Sequence, residues 1–289
     1  MKRLDGAALA KLVPVLDEGA NKYTRGKLRL FAGTAAYPGA ACLAAVASQR
    51  AGAGYTEVFT DPPIVPLVQA HRASLVVRPF DAWDRAAERP SEARHPHAYA
   101  AGSGFDPADE DALRMVGLVL DAAQAPVLVD GGGLQALVDD RMREACLRRG
   151  QAGFATILTP HGGEAARLAA PLGIAVEDPS ALATDLAQAY AAVVVLKGPD
   201  TFISDGGDLY LMDEGGPMLA KAGTGDVLAG IIGGLLAQGV RPFGACVLGT
   251  VLHARAANVA AEQLDELSVC AEDVITCLPE TLRAVRNCG

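Results

Sequence analysis

Aromatic residues are scarce in this chain, 5% of 289 positions, with a single tryptophan. Alanine, valine and leucine must therefore fill the core, which suits helices packed closely on a sheet. Basic charge is short too. Thirty-four Asp and Glu outnumber 25 Lys and Arg, for a net charge of −9. That balance disfavours general nucleic-acid binding, which needs phosphate-neutralising cations. The one basic run, RMREACLRRG at 141–150, reads as the solvated face of a helix.

Other absences are equally useful. Six cysteines, at 42, 146, 246, 270, 277 and 288, form no CxxC pair. They read as reduced thiols in a cytoplasmic protein rather than a zinc site or disulfide framework. No secretory pattern is visible, because the apolar GAALA is followed at once by Lys11. The uncharged stretch from Leu30 to Gln49 could span a bilayer by length. Its Pro38, Gly33 and Gly39 and its alanine bias predict a strand, a turn and a core helix instead, with no membrane partner. There is no GxxxxGK[ST], no GxGxxG opening a βαβ unit, no HExxH and no GxSxG. A Walker loop, a dinucleotide fingerprint, a zincin and an α/β-hydrolase are set aside.

What is present is a regular alternation. Apolar runs at 27–33, 55–60, 74–80, 97–104, 126–133, 154–160 and 191–200 read as strands. Amphipathic runs at 39–52, 64–72, 107–123, 141–150, around 163–170 and 179–190 read as helices between them. Such alternation implies parallel βαβ units in an α/β sheet covered on both faces. TFIS (201–204) and DLYLM (208–212) predict an antiparallel hairpin added to it, and helices near 226–238, 243–263 and 271–285 finish the chain. The charged, proline-bearing segment 81–96, which carries the tryptophan, reads as a surface excursion, and the whole of 1–289 as one domain.

Several strands end in glycine-rich or polar turns: AGT (32–34), GSG (102–104), DGGG (130–133), TPHGGE (159–164) and KGPDT (197–201). Ligands of open α/β sheets bind beyond the carboxyl ends of strands. In AGTGDVLAG, Gly223 and Gly225 let amide N–H groups converge where a helix begins, forming a hole for phosphate. Asp226 beside that hole is either a helix cap, contributing about 1 kcal/mol, or the general base for an attacking hydroxyl. His161 and Glu164 sit three residues apart at another helix start. One reading makes them a surface histidine and a dipole-facing carboxylate. The other has Glu164 ordering a water on Mg²⁺, which takes few protein ligands, while His161 meets the acceptor. His71, His95, His97 and His253 read as structural or exposed.

In order, YPGAACLAA, GSGFDP, VLVDGGGL, ILTPHGGEAARL, VVLKGPDTFIS and KAGTGDVLAGII resemble the ADP- or ATP-dependent NAD(P)H-hydrate dehydratases of the ribokinase-like superfamily. The similarity runs from about Asn21 to the last helix. The resemblance implies a three-layer ribokinase-like α/β fold with a mostly parallel sheet. It implies phosphorylation of a hydrated nicotinamide nucleotide on its ring hydroxyl, followed by loss of phosphate to restore NADH or NADPH. It makes Asp226 the catalytic base. Lys197, Gly198, Pro199, Asp200 and Thr201, with Gly223, Thr224 and Gly225, become the adenine-nucleotide site. Ala40, Ala41, Gly104 and His161, with Asp226, would line the hydrate, and Glu164 would serve Mg²⁺. A homo-oligomer, and reliance on a separate epimerase because the chain leaves no room for that domain, are also expected.

The chain departs from that pattern where relatives commonly read DADAL, having Gly132 in place of the second aspartate, and where Lys221 replaces a small polar residue. The Lys221 ammonium would pair with phosphate or stay exposed. Two other functions fit the same residues: a kinase of a thiazole or pyrimidine alcohol, and a catalytically silent nucleotide-binding protein.

Overall fold

The computed structural model describes residues 5–288. Nine strands form one sheet: β1 (Lys27–Phe31), β2 (Tyr55–Thr60), β3 (Val76–Pro79), β4 (His97–Ala101), β5 (Val127–Val129), β6 (Thr156–Leu158), β7 (Val193–Leu196), β8 (Thr201–Ser204) and β9 (Leu209–Met212). Their spatial order is β3-β2-β1-β4-β5-β6-β7-β8-β9. Strands β1 to β7 pair in parallel, and β8 and β9 complete the sheet as an antiparallel hairpin. The order turns back between β1 and β4, and the crevice beyond the carboxyl ends of those two strands is where such sheets bind ligands.

Among the described residues ten α-helices connect or cover the strands: α1 (Gly6–Ala10), α2 (Pro38–Arg50), α3 (Val65–His71), α4 (Glu110–Ala122), α5 (Asp140–Gln151), α6 (Gly162–Ala169), α7 (Pro179–Tyr190), α8 (Thr224–Ala237), α9 (Pro242–Gln263) and α10 (Ala271–Arg286). Strand alternation divides the core in two. Leu28, Leu30, Val58, Ala100 and Leu128 pack under α2, α8, α9 and α10. Phe31, Phe59, Tyr99, Val127 and Val129 pack under α4, α5, α6 and α7. The three-layer arrangement expected from the alternation is therefore the observed one. Helix α8 approaches α2 closely because Gly230 and Gly234 meet the backbones of Ala44 and Ser48.

The stretch Leu30–Gln49 is indeed the end of a strand, a turn and a core helix. Helix α9 is long and apolar enough to cross a membrane by length and composition, but 72% of its most apolar window is buried inside the protein. Two expectations need correction. Segment 81–96 is exposed for most of its length, yet Trp83 is buried against Phe31 and Phe59. Its indole N–H donates to buried Glu88 at 2.6 Å, and Glu88 also pairs with Arg29 at 3.1 Å. In α5, Arg149 is not on the solvated face. It is buried, donating to the carbonyls of Leu120 (3.1 Å), Ala123 and Ala125 (2.6 Å), where α4 ends. Burial pushes its pKa down to about 10.

Candidate active site

Gly223 has φ +92°, in the left-handed region, so the chain can turn sharply into α8. Thr224, Gly225 and Asp226 are then the first three residues of that helix, with their amides at its positive end. The Thr224 hydroxyl donates to the carbonyls of Leu219 (2.7 Å) and Lys221 (2.8 Å), pinning the turn. Asp226 is half-buried and faces a cleft of about 240 Å³ lined also by Tyr37, Ala40, Gly104, Gly132, Glu164 and Arg167. A cavity of about 710 Å³ lies alongside, lined by His161, Lys197, Thr201, Thr224, Gly225 and His253 among others. Its walls are mostly apolar, from Met212, Pro217, Leu219, Leu228 and Ala254. Their linings adjoin at the start of α8, where Asp226 belongs to the cleft and Thr224 and Gly225 to the cavity.

Charge at this junction is crowded. Burial pushes the Asp226 pKa up to about 7, helped by repulsion from Asp130 and opposed by Lys197 and a hydrogen bond from Ser103. Asp130, just past β5, is 2% exposed. It accepts hydrogen bonds from Thr159 Oγ1 at 2.6 Å, Ser103 Oγ at 2.9 Å and Lys197 Nζ at 3.1 Å. Burial disfavours the Lys197 ammonium, but Asp130, Glu164 and Asp226 together hold its pKa above the ordinary value. An acid with its pKa raised to about 7 beside a half-buried ammonium suits proton abstraction coupled to anion stabilisation.

The expected site residues divide between the two spaces. Ala40, Gly104, Asp226 and Glu164 share the smaller cleft. Lys197, Gly198, Pro199, Thr201, Thr224, Gly225 and His161 share the larger cavity. His161 thus stands on the larger cavity's wall rather than beside Ala40. Three residues line neither space. Ala41 is buried in the first turn of α2. Asp200 is exposed in the loop before β8, and Gly223 packs toward Leu43 and Ala271.

Other details revise the sequence reading. Of the two alternatives for Lys221 the exposed one is observed, its Nζ donating to the Leu267 carbonyl at 2.7 Å. Gly132 lies so near the Gly102–Phe105 loop that a Cβ would sit 1.9 Å from the Phe105 carbonyl oxygen, so an aspartate there requires a different backbone. His253 is buried as expected of a structural histidine, yet it also lines the larger cavity, and burial lowers its pKa to about 4. Sequence reasoning passed over Asp130, Ser103, Thr159 and Arg167. The signal available for Asp130 was a lone carboxylate at a strand's carboxyl end.

The sites for a metal and for helix capping overlap at Glu164. It closes a capping box: Oε2 accepts from the His161 amide at 2.8 Å, while His161 Nδ1 accepts from the Gly163 amide at 3.0 Å. Oε1 is left 3.4 Å from His161 Nε2. Burial lifts the Glu164 pKa, with Lys197 opposing. Among the described residues no cluster of three or more His, Cys, Asp or Glu could hold a metal. Mg²⁺ needs no such cluster, since it keeps waters and binds through one or two carboxylates plus substrate phosphates. The donor set fits that mode.

A family model described as NAD(P)H-hydrate dehydratase matches residues 28–280. The bifunctional NAD(P)H-hydrate repair enzyme of Moorella thermoacetica is 33% identical over 285 residues, covering 94% of this chain and 52% of that protein. The chain spans about half the length of the bifunctional relatives it matches. An ADP-dependent (S)-NAD(P)H-hydrate dehydratase of Neisseria meningitidis is 34% identical over 247 residues, covering 85% and 80% respectively. A Bacillus subtilis ADP/ATP-dependent NAD(P)H-hydrate dehydratase, co-crystallised with ATP and Mg²⁺, superposes with a TM-score of 0.80 at 29% identity over 97% of both chains. More distant structures, a ribokinase among them, share the fold alone.

Proposed function

This chain belongs to the NAD(P)H-hydrate dehydratase family, and from that premise we propose that it carries out ADP- or ATP-dependent dehydration of the S epimers of NADHX and NADPHX, regenerating NADH and NADPH. The observation that carries the reading is the placement of Asp226. It lines the smaller cleft while its neighbours Thr224 and Gly225 line the larger cavity. A hydroxyl held in one space can therefore meet a phosphoryl group held in the other.

In this proposal the adenine nucleotide fills the larger cavity, its phosphates against Lys197, Thr201 and the amides of Thr224 and Gly225. The hydrated nicotinamide enters the smaller cleft beside Ala40 and Gly104, with Arg167 meeting the anionic remainder of the dinucleotide. Asp226 accepts the proton of the ring hydroxyl as its oxygen bonds to the terminal phosphorus. The nucleotide departs one phosphoryl shorter. The ring nitrogen lone pair then expels phosphate with the C–O bonding electrons, and a proton lost from the adjacent carbon completes the dihydropyridine. Phosphate leaves where hydroxide would not. Mg²⁺, when bound, offsets charge on the phosphates, and Glu164 is the residue that would hold its water shell.

The proposal also includes a single domain over 1–289, of which residues 1–4 and 289 lie outside the described residues. A cytoplasmic location is supported by six free cysteines. A homo-oligomer and an epimerase acting separately rest on the family resemblance. The test is incubation with hydrated NADH, ADP or ATP, and Mg²⁺. The expected result is return of NADH absorbance with equimolar phosphate and shortened nucleotide. A stable phosphoester without NADH would make the protein a kinase instead.

A further inference from the structure

Four adjacent parallel strands each place one polar group just past their carboxyl ends: Ser103 after β4, Asp130 after β5, Thr159 after β6 and Lys197 after β7. The groups form one hydrogen-bonded row across the sheet, and Asp130 is its hub. Its Oδ1 takes Thr159 Oγ1 at 2.6 Å and Lys197 Nζ at 3.1 Å, and its Oδ2 takes Ser103 Oγ at 2.9 Å. Asp130 nevertheless lines neither the cleft nor the cavity. It is a buried carboxylate, and both of its oxygens accept hydrogen bonds from the protein.

We infer that Asp130 is the positioning residue of this site, carrying the Lys197 ammonium to the divide between the two spaces and fixing it there for the phosphoryl group in transit. The inference rests on the phosphoryl-transfer reading above. Lysine bears a strongly hydrated point charge on a flexible four-carbon stem, and the larger cavity offers it ample room. Without that anchor, the stem would be free to swing the ammonium into that space. Anchored, it stays close to Gly225, where a Cβ would be 3.5 Å from Nζ. A buried ion pair holds its geometry only when its remaining lone pairs are satisfied. Ser103 and Thr159 supply that condition, so the hydroxyls belong to the same device.

Asp130→Asn keeps the size of the side chain and removes its charge. Misplacing a transition-state group by about 1 Å can cost about 100-fold in rate. The expected result is therefore a fall in kcat of about 100-fold with hydrated NADH, with ADP affinity measured by calorimetry falling by a much smaller factor. The acid limb of the kcat profile should also move to lower pH, because the Asp130 charge opposes ionisation of Asp226 more strongly than Lys197, which the substitution also frees, favours it. A residue needed only for folding would lower the amount of active protein and leave that limb in place. Thr159→Val keeps the carboxylate but removes one of its donors, and should lower kcat by roughly tenfold. Wild-type kcat and an unmoved acid limb in Asp130→Asn would overturn the inference. If that variant does not fold, wild-type kcat in Thr159→Val overturns it. A wild-type protein that binds ADP but never restores NADH sinks the functional reading instead.

Discussion

At the residue scale, the carboxylate of Asp226 is tuned by its surroundings rather than by its sequence neighbours. Burial is the main cause, Asp130 adds to it, and together they bring its pKa up to about 7. A general base must be ionised to work. Turnover is therefore expected to rise with pH through about 7 with unit slope and then level off, in a pH series of kcat. The linkage runs the other way for stability: a carboxyl group whose folded pKa exceeds its unfolded one stabilises while protonated. The unliganded protein should lose that contribution as pH rises through about 7. Lys221 provides a contrast. Its ammonium is held by the Leu267 carbonyl, so Lys221→Ala should leave kcat near the wild-type value, whereas a phosphate-pairing lysine would not tolerate removal.

At the element scale, stability depends on two polar anchors. Arg149 of α5 satisfies carbonyls at the end of α4 and in the turn to β5. Arg149→Leu leaves them buried and unpaired, at about 1–3 kcal/mol for each. Allowing for relaxation, the expected loss is about 3 kcal/mol in urea unfolding. Trp83 fills the second core beside Phe31 and hydrogen-bonds Glu88. Trp83→Ala should cost about 3–5 kcal/mol. As the only tryptophan, its emission should be blue-shifted in the native state and move red on unfolding.

The same elements show what was legible in advance. Strands β1 to β7 announced themselves as apolar runs because both faces of a parallel sheet are buried. Helix α8 was legible through its glycine turn, and with it Asp226, the residue proposed as the base. The Gly131–Val138 segment forms consecutive 3₁₀ turns that no periodicity predicted. Trp83 and Arg149 were misjudged for a shared reason: charged neighbours in sequence made them look solvated, while Trp83 packs on Phe31 and Phe59 of β1 and β2 and Arg149 reaches carbonyls around the end of α4. Asp130 escaped notice because its importance is conferred by Ser103, Thr159 and Lys197, which approach only once β4 to β7 lie side by side.

At the scale of the whole molecule, the sheet supplies the proposed reaction with two compartments. The reversal of strand order between β1 and β4 opens the smaller cleft, and the hairpin β8–β9 with α9 walls the larger cavity. ADP binding to the folded protein alone should raise stability by about 2.7 kcal/mol at 100 times its Kd, read as an upward shift in melting temperature. The central claim is that Asp226 takes the hydroxyl proton at the junction of these compartments. Turnover of hydrated NADH by Asp226→Asn, with ADP binding measured on the same sample, tests it most directly. The account predicts loss of turnover by at least about 100-fold with ADP still bound; near-normal turnover in that variant would contradict it.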